Sequence, residues 1–243
     1  MMPRHGLVLR IRSSIQRRGV AATARLAMGV ALQYTRPARW YLTELTFDIR
    51  HHVDTRGRAQ PTAPSNDDAL AHAAHYQGIW PATFHRAMSA LANGDHSQYV
   101  FVDLGCGKGR AVLLAATYPF QAVVGVELSP ELATIAMRNV ARFTRRRSGL
   151  APIQIVCGDA ASFAFPPRPL LVYIFNSFDD VILARVASKL RTSLVAQPRP
   201  ALLIYHHPVH RGVLDATPWL REIGVVPRGV IYRAEQAGES VEQ

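Results

Sequence analysis

From Tyr99 onward, short apolar runs of strand length alternate with segments of helix length, and this alternation limits the possible folds more than any other feature of the sequence. The strand-length runs are Tyr99–Leu104, Ala122–Leu128, Ile153–Cys157, Leu170–Phe175 and Ala201–His206, and the helical stretches lie near Lys108–Thr117, Pro130–Thr144 and Asp179–Val195. Repeated strand–helix–strand units predict a parallel sheet that is buried on both faces. Two final runs, Leu220–Val226 and Val230–Ala234, flank a Pro-Arg-Gly turn, which predicts a hairpin with an antiparallel strand at one edge. The predicted fold class is therefore α/β.

The chain upstream of this alternation has a different character, and we predict two parts: an N-terminal arm with its linker over residues 1–68, and a domain over residues 69–243. Apolar positions in residues 1–60 are spaced as in one or two basic helices, which Pro37 separates. The Pro-rich and polar stretch 60–68 is the predicted linker. Residues 69–91 have the pattern of a further helical region, interrupted at Trp80-Pro81.

Positive charge is concentrated in the arm. Residues 1–60 contain eleven arginines and three acidic residues, within a formal net charge of +11 for the whole chain. Such an arm suits a nucleic acid, an anionic membrane surface or an acidic protein partner. A general bias in amino-acid composition accounts for the basic arm at least equally well, because 26 of the 28 basic residues are arginine in an Ala-rich chain.

The two cysteines, Cys106 and Cys157, are too few for a disulfide framework and lack the spacing of a metal site. They favour a reducing, cytoplasmic setting, and we expect no metal. No stretch approaches the ~20 uninterrupted apolar residues of a membrane span, so we expect no transmembrane segment.

A glycine loop with a preceding carboxylate is the most specific motif in the sequence. Asp103 ends the first predicted strand, and Gly105, Gly107 and Gly109 follow it before a helix. Glycines there let a ligand approach the backbone, and the helix presents its unpaired N–H groups. The spacing differs from the dinucleotide pattern G-x-G-x-x-G and from a phosphate-binding P-loop. A carboxylate before the loop repels a pyrophosphate and suits a cationic ammonium group.

Three further polar clusters follow predicted strands, at the carboxyl ends where α/β sheets bind ligands. Glu127 is placed to accept the hydroxyls of a ribose. The Asp159 carboxylate can accept a hydrogen bond from an exocyclic amine of a ligand. Its alternative role is to cap a helix that begins at Ala160. Asn176 is either a residue beside the reacting groups or a turn residue that caps the helix beginning near Asp179.

These motifs, in this order, resemble those of class I S-adenosylmethionine (SAM)-dependent methyltransferases over about Tyr99 to Ala234. Three sequence segments are similar to those of a little-characterised bacterial group of these enzymes: FVDLGCGKGR, VVGVELSPEL and the upstream FDIRHHVDTRG. Some members of that group are loosely similar to the histone-lysine type. The resemblance implies a Rossmann-like, mostly parallel seven-stranded sheet with helices on both faces, and SAM as the cofactor. It also implies methyl transfer by in-line displacement to an unidentified acceptor.

The resemblance further implies the site residues. The expected cofactor-binding residues are Asp103, Gly105, Cys106, Gly107, Gly109, Glu127, Leu128, Asp159, Ala160 and Asn176. Asp103 and the glycines are expected near the methionine part of SAM, Glu127 on the ribose and Asp159 on the adenine amine. Asn176 is the expected catalytic residue beside the transferred methyl group.

The sequence after Asn176 departs from one family pattern. Enzymes that methylate exocyclic or amide nitrogens often have two prolines and an aromatic residue there, whereas this chain has Ser177 and Phe178. A protein amine is therefore one candidate acceptor, without the full motif. Upstream, three aromatic residues are expected either to cover the cofactor or to pack in the core: Tyr76, Trp80 and Phe84.

Three histidines near the end of the fifth predicted strand are His206, His207 and His210. Neighbouring strand residues face opposite sides, so we expect at most one of them at the mouth of the site. Two other classes of function stay open on the sequence alone: a non-catalytic module that binds SAM or nucleic acid, and an NAD(P)-dependent oxidoreductase, against which Asp103 and the glycine spacing argue.

Overall fold

A computed structural model describes residues 46–59, 76–91 and 95–235. The chain divides into two compact units, residues 1–46 and residues 47–243. The first unit, apart from Thr46, and the predicted linker 60–68 lie outside the described residues, so the arm and the boundary at residue 68 stay predictions. Among the described helices, none has the length and apolar character needed to cross a bilayer.

The larger unit is built on a seven-stranded sheet with the order β5-β4-β3-β6-β7-β9-β8. Its strands are β3 (Val100–Leu104), β4 (Ala122–Glu127), β5 (Ile153–Cys157), β6 (Leu170–Phe175), β7 (Ala201–His206), β8 (Leu220–Val226) and β9 (Gly229–Ala234). Strands β3 to β7 pair in parallel, and β9 is antiparallel to both β7 and β8. The Rossmann-like α/β prediction, including the terminal hairpin, is confirmed.

Five helices accompany the sheet among the described residues: α1 (Pro81–Ser89), α2 (Arg110–Ala115), α3 (Pro130–Thr144), α4 (Asp180–Ala196) and α5 (Arg211–Asp215). Residues 46–51 are also helical, and Ala160–Ser162 form one 3-10 turn. Helix α3 begins where the sequence predicts, because the Ser129 side chain caps it and Pro130 occupies its first turn.

The helical prediction for residues 69–91 is correct for α1 but wrong for Tyr76-Gln77. These two residues form strand β2, which pairs with β1 (Arg58–Ala59) in a separate two-stranded sheet. The helix begins only at Pro81, where the fixed φ of proline suits a first helical position. Periodicity alone did not reveal this pairing, since each strand is only two residues long.

Apolar side chains fill both faces of the sheet. One core cluster joins the sheet to α4, with Ile182, Val186 and Leu190, and the other joins it to α1 and α2, with Phe84 and Leu113. Strand β3 is buried along its whole length. A central strand buried on both faces reads as a continuous apolar run, and the polar Asp103 within it therefore requires a separate explanation.

Candidate functional site

The loop between β3 and α2 has the conformation that its glycines were predicted to allow. Gly105 and Gly107 have φ values of 76° and 55°, in the left-handed region. The Gly105 and Cys106 amides donate to the Val126 carbonyl at 2.8 and 2.9 Å, which ties the loop to β4. A Cβ on Gly105 would overlap the Ser177 side chain, and one on Gly107 would overlap the Tyr76 ring. The loop is therefore a cradle with space for backbone only.

Gly109 has a different position from the other two loop glycines. It has φ 86° and immediately precedes α2, where a Cβ would lie 3.3 Å from the Ala136 Cβ. It is not among the residues that line the cleft described below. Its conformation fixes the start of the helix.

Glu127 ends β4 with its carboxylate buried and held by the backbone. Its two oxygens accept from the Gly107 amide at 2.7 Å and the Ser129 amide at 2.8 Å. Burial raises the pKa of Glu127, and these backbone hydrogen bonds oppose the rise. The carboxylate thus links the glycine loop to the start of α3 and keeps acceptor capacity for a ligand hydroxyl.

Asp103 lies at the end of β3, 3% exposed, and no described residue donates a hydrogen bond to its carboxylate. Burial, with the nearby Glu127 charge, raises the pKa of Asp103 to about 8. Asp103 also lines the cleft described below, so a ligand there can supply the donor that the described residues do not. The group it fits best is a cation that can donate hydrogen bonds, such as an ammonium.

Asp159 has the cap role that was one of its two predicted alternatives. Its Oδ1 accepts from the Ala161 amide at 2.9 Å and caps the 3-10 turn that begins at Ala160. Asp159, Ala160 and Leu128 also line the cleft. The cap therefore fixes the carboxylate at the cleft wall, so the two predicted roles are compatible.

Asn176 follows β6 in the left-handed conformation, with φ 44°. It does not cap α4, because Asp179 does so by accepting from the Ile182 amide at 3.1 Å. Asn176, Ser177 and Phe178 all line the cleft. A non-glycine residue held in this conformation at a cleft is typical of functional positions.

One cleft, enclosing about 840 Å³ of space that includes part open to solvent, joins these residues. It contains all of the predicted site residues except Gly109. The sequence reasoning missed several others: Gln77, Gly78, Ile79, Arg110, Tyr173, Phe175 and Ile182. Tyr173 was within reach of prediction, because it pairs in register with Asp103 once β3 and β6 are neighbours.

The three upstream aromatic residues differ in position, and Trp80 immediately precedes α1. Tyr76 lines the cleft against the glycine loop, whereas Phe84 is fully buried in the core and contacts Phe101 and Tyr173.

His206 is buried beside Tyr173 and Phe175, and His207 is exposed. Burial lowers the pKa of His206 to about 4. Within the described ranges, no group of three or more His, Cys, Asp or Glu side chains is placed to hold a metal ion.

The strand order, the glycine cradle and the buried Asp103 fit a class I SAM-dependent methyltransferase domain. Residues 101–194 match the family described as "Methyltransferase domain". SAM is the cofactor of this class, and the site residues fit it: a cradle at Gly105 and Gly107 that a Cβ would fill, and a carboxylate without a donor among the described residues that suits the ammonium of the methionine part. The match over residues 101–194 confirms the methyltransferase assignment.

Solved structures similar to this chain come from several methyltransferases. The ribosomal protein L11 methylase of Lactobacillus delbrueckii subsp. bulgaricus is 15% identical over 64% of this chain and 80% of its own, with a TM-score of 0.46. TrmN of Thermus thermophilus is 19% identical over 65% and 49%, with a TM-score of 0.48. The magnesium protoporphyrin IX methyltransferase of Synechocystis PCC 6803, with bound SAM, is 15% identical over 84% and 97%, with a TM-score of 0.46. No curated protein matches the chain.

Proposed function

We propose that the chain methylates an amine of a protein acceptor, with the acceptor nitrogen placed in the cleft beside Asn176. The observation that supports cofactor binding there is Asp103, a buried carboxylate that no described residue satisfies. Bound SAM supplies an electrophilic methyl group, which a nucleophile takes by in-line displacement with release of S-adenosylhomocysteine (SAH). The protein contributes orientation of the two reactants in a water-poor cleft.

Three carboxylates have distinct proposed roles in holding the cofactor. Asp103 accepts from the ammonium of the methionine part, and Glu127 accepts from the ribose hydroxyls while the Gly107 and Ser129 amides hold it in place. Asp159, oriented by the Ala161 amide, accepts from the adenine amine. A cationic, a hydroxyl and an amino group are thus recognised by three carboxylates at the ends of neighbouring strands β3, β4 and β5.

Asn176 is the proposed residue that orients the acceptor. Its amide can accept a hydrogen bond from an N–H group and point the nitrogen lone pair towards the methyl group. Phe178 lines the same wall and provides an apolar surface for the stem of an amine side chain. The acceptor must be neutral to react, and a buried, water-poor position favours the neutral form of an amine.

The test of cofactor identity is calorimetric titration of the purified protein with SAH, with NADH and ATP as controls. Micromolar binding of SAH alone supports the proposal, and binding of NADH alone would support an oxidoreductase instead.

The test of methyl transfer is incubation of the protein with radiolabelled SAM and lysate fractions. Labelled protein sensitive to Asn176→Ala supports an amine acceptor, whereas SAH binding without any transfer would leave a non-catalytic binding module.

We further propose that the basic surface contacts nucleic acid in the cytoplasm. In the larger unit, Arg50 and several arginines of α3 and its C-terminal end have no carboxylate within ion-pair distance among the described residues. The arginines of α3 and its end are Arg138, Arg142, Arg145, Arg146 and Arg147. Arg146 and Arg147 instead contact His52 and His51 at 3.1 and 2.6 Å. Both cysteines are free, which suits a reducing compartment.

Fluorescence anisotropy with a labelled oligonucleotide tests this contact. Because phosphate binding releases counterions, the affinity is expected to fall steeply between 50 and 200 mM salt, on the order of the thousandfold typical of several phosphate contacts. The double variant Arg145→Glu, Arg146→Glu is expected to weaken binding. Flat salt dependence would remove the proposal.

A further inference from the structure

Part of the cleft wall comes from outside the matched methyltransferase domain. Tyr76, Gln77, Gly78 and Ile79 line the cleft, and Tyr76 pairs with Ala59 between strands β2 and β1. We call residues 47–59 and 76–79 the latch. Its only regular pairing is two residues long on each strand, so other bonds must hold it in place.

Tyr76 lies directly on the glycine loop. The absence of a side chain at Gly107 is what allows the ring to sit there, since a Cβ would overlap it. The Tyr76 hydroxyl donates to the Thr55 carbonyl at 2.7 Å. One ring thus joins the two segments of the latch and covers the loop where the cofactor is proposed to bind.

A buried network fixes Thr55 in turn. The Asp48 carboxylate accepts from the Thr55 amide at 2.9 Å and from the Thr55 hydroxyl at 2.5 Å. Arg110 donates from Nε to the same hydroxyl at 2.7 Å and from Nη1 to the Ile79 carbonyl at 3.3 Å. Arg110 and Asp48 are buried and 3.7 Å apart. Because Arg110 is the first residue of α2, this network ties the latch to the helix that follows the glycine loop.

A second anchor joins the latch to α3. The Asn139 side chain accepts from the Asp54 amide at 2.8 Å and donates to the Asp54 and Lys108 carbonyls at 2.7 and 2.9 Å. Lys108, within the glycine loop, donates to the Asp54 carboxylate and the Arg56 carbonyl at 3.1 and 2.9 Å. The first anchor therefore attaches the latch to α2, and the second attaches it to α3 and to the glycine loop.

We propose that the latch is part of the cofactor site, with Tyr76 contacting the bound cofactor and with Asp48, Thr55 and Arg110 as positioning residues that keep it closed. This rests on the proposed cofactor binding, because SAM or SAH is the ligand that the latch covers. A ligand in the cleft that packs against the Tyr76 ring opposes opening of the latch. Its dissociation requires breaking the Tyr76–Thr55 hydrogen bond or the networks behind it.

Hydrogen exchange of the full chain with and without saturating SAH tests the proposal without any variant. The expected result is slower exchange both in the loop, residues 103–109, and in the latch, above all at the Thr55 and Arg56 amides that donate to Asp48. Slower exchange in the loop alone would overturn the latch proposal and leave cofactor binding intact. No change in either region would overturn both.

Tyr76→Phe sharpens the test, with Tyr232→Phe as the matched control. Each removes one tyrosine hydroxyl that donates a 2.7 Å hydrogen bond, to Thr55 at the cleft and to Asp215 on the hairpin side respectively. Tyr76→Phe is expected to raise the Kd for SAH about fivefold, mainly through faster dissociation, since a hydrogen bond typically contributes about that factor. Equal Kd values for the two variants would overturn the proposal, whatever their melting temperatures.

Discussion

The ends of β3 and β4 each bear a buried carboxylate, yet the two are satisfied differently. Glu127 accepts from the Gly107 and Ser129 backbone amides, so its carboxylate has donors before any ligand binds, and these oppose the rise in its pKa that burial causes. Asp103 has no donor among the described residues, and its pKa is raised to about 8. The fold thus prepares Glu127 for neutral hydroxyl groups and leaves Asp103 to be completed by a cation. Neighbouring positions in one sheet acquire different chemistry from the loops that follow them.

The largest expected loss of SAH affinity comes from adding a side chain to the glycine cradle. Gly105→Ala adds a Cβ that overlaps Ser177, at a φ of 76°, and is expected to weaken SAH binding at least ~100-fold because the loop must move. Gly149→Ala is the matched control, with a similar φ of 72° and open space around its Cβ. Calorimetry on both variants separates loss of the cradle from backbone strain. Retained affinity in Gly105→Ala would contradict the cradle.

Removing the charge at the end of β3 should have the next largest effect. Asp103→Asn is expected to raise the Kd for SAH by ~10- to 100-fold, because a charge-assisted hydrogen bond typically contributes ~1.5–3 kcal/mol.

The ligand-free Asp103→Asn variant should also lose the part of the pH dependence of folding stability that comes from this carboxyl group. The folded protein binds a proton at Asp103 that the unfolded chain releases, so this group makes unfolding easier as the pH rises from about 4 to about 8. Denaturant titrations across that range measure the slope, and equal slopes in both proteins would contradict the raised pKa.

The same charge removal at the end of β4 is expected to cost less. Glu127→Gln keeps one oxygen acceptor but presents an amide nitrogen to one of two backbone N–H donors. An increase of about fivefold in the Kd for SAH is expected, with a lower melting temperature, since the ligand group that loses its acceptor is an uncharged hydroxyl. If Glu127→Gln weakened binding more than Asp103→Asn, the contrast between the two carboxylates would be wrong.

Asn176 is expected to leave cofactor affinity unchanged. Asn176→Ala removes only a group proposed to orient the acceptor, so we expect kcat to fall about tenfold with an acceptor in hand and the Kd for SAH to stay constant. Steady-state kinetics with calorimetry measures both quantities. A change confined to SAH binding would assign Asn176 to the cofactor instead.

The parts of the site that depend on local geometry could be predicted from the sequence. The strand ends, the glycine loop and Glu127 follow from apolar runs of fixed length and from spacing within the chain. The roles of Tyr76 and Arg110 depend instead on contacts with Thr55 and Asp48, across segments that periodicity does not connect. Tyr173 illustrates the same limit: its position opposite Asp103 requires the strand order β4-β3-β6, which no single strand encodes.

The most direct test of the central claim is proton release on SAH binding, measured by calorimetry at pH 7 in buffers with different ionisation enthalpies. Asp103 is protonated in the free protein below about pH 8 and must ionise to receive an ammonium group. We therefore expect close to one proton released per SAH bound by the unsubstituted protein and close to none by Asp103→Asn. Equal proton release from both proteins would contradict the assignment of Asp103 as the cation-binding carboxylate.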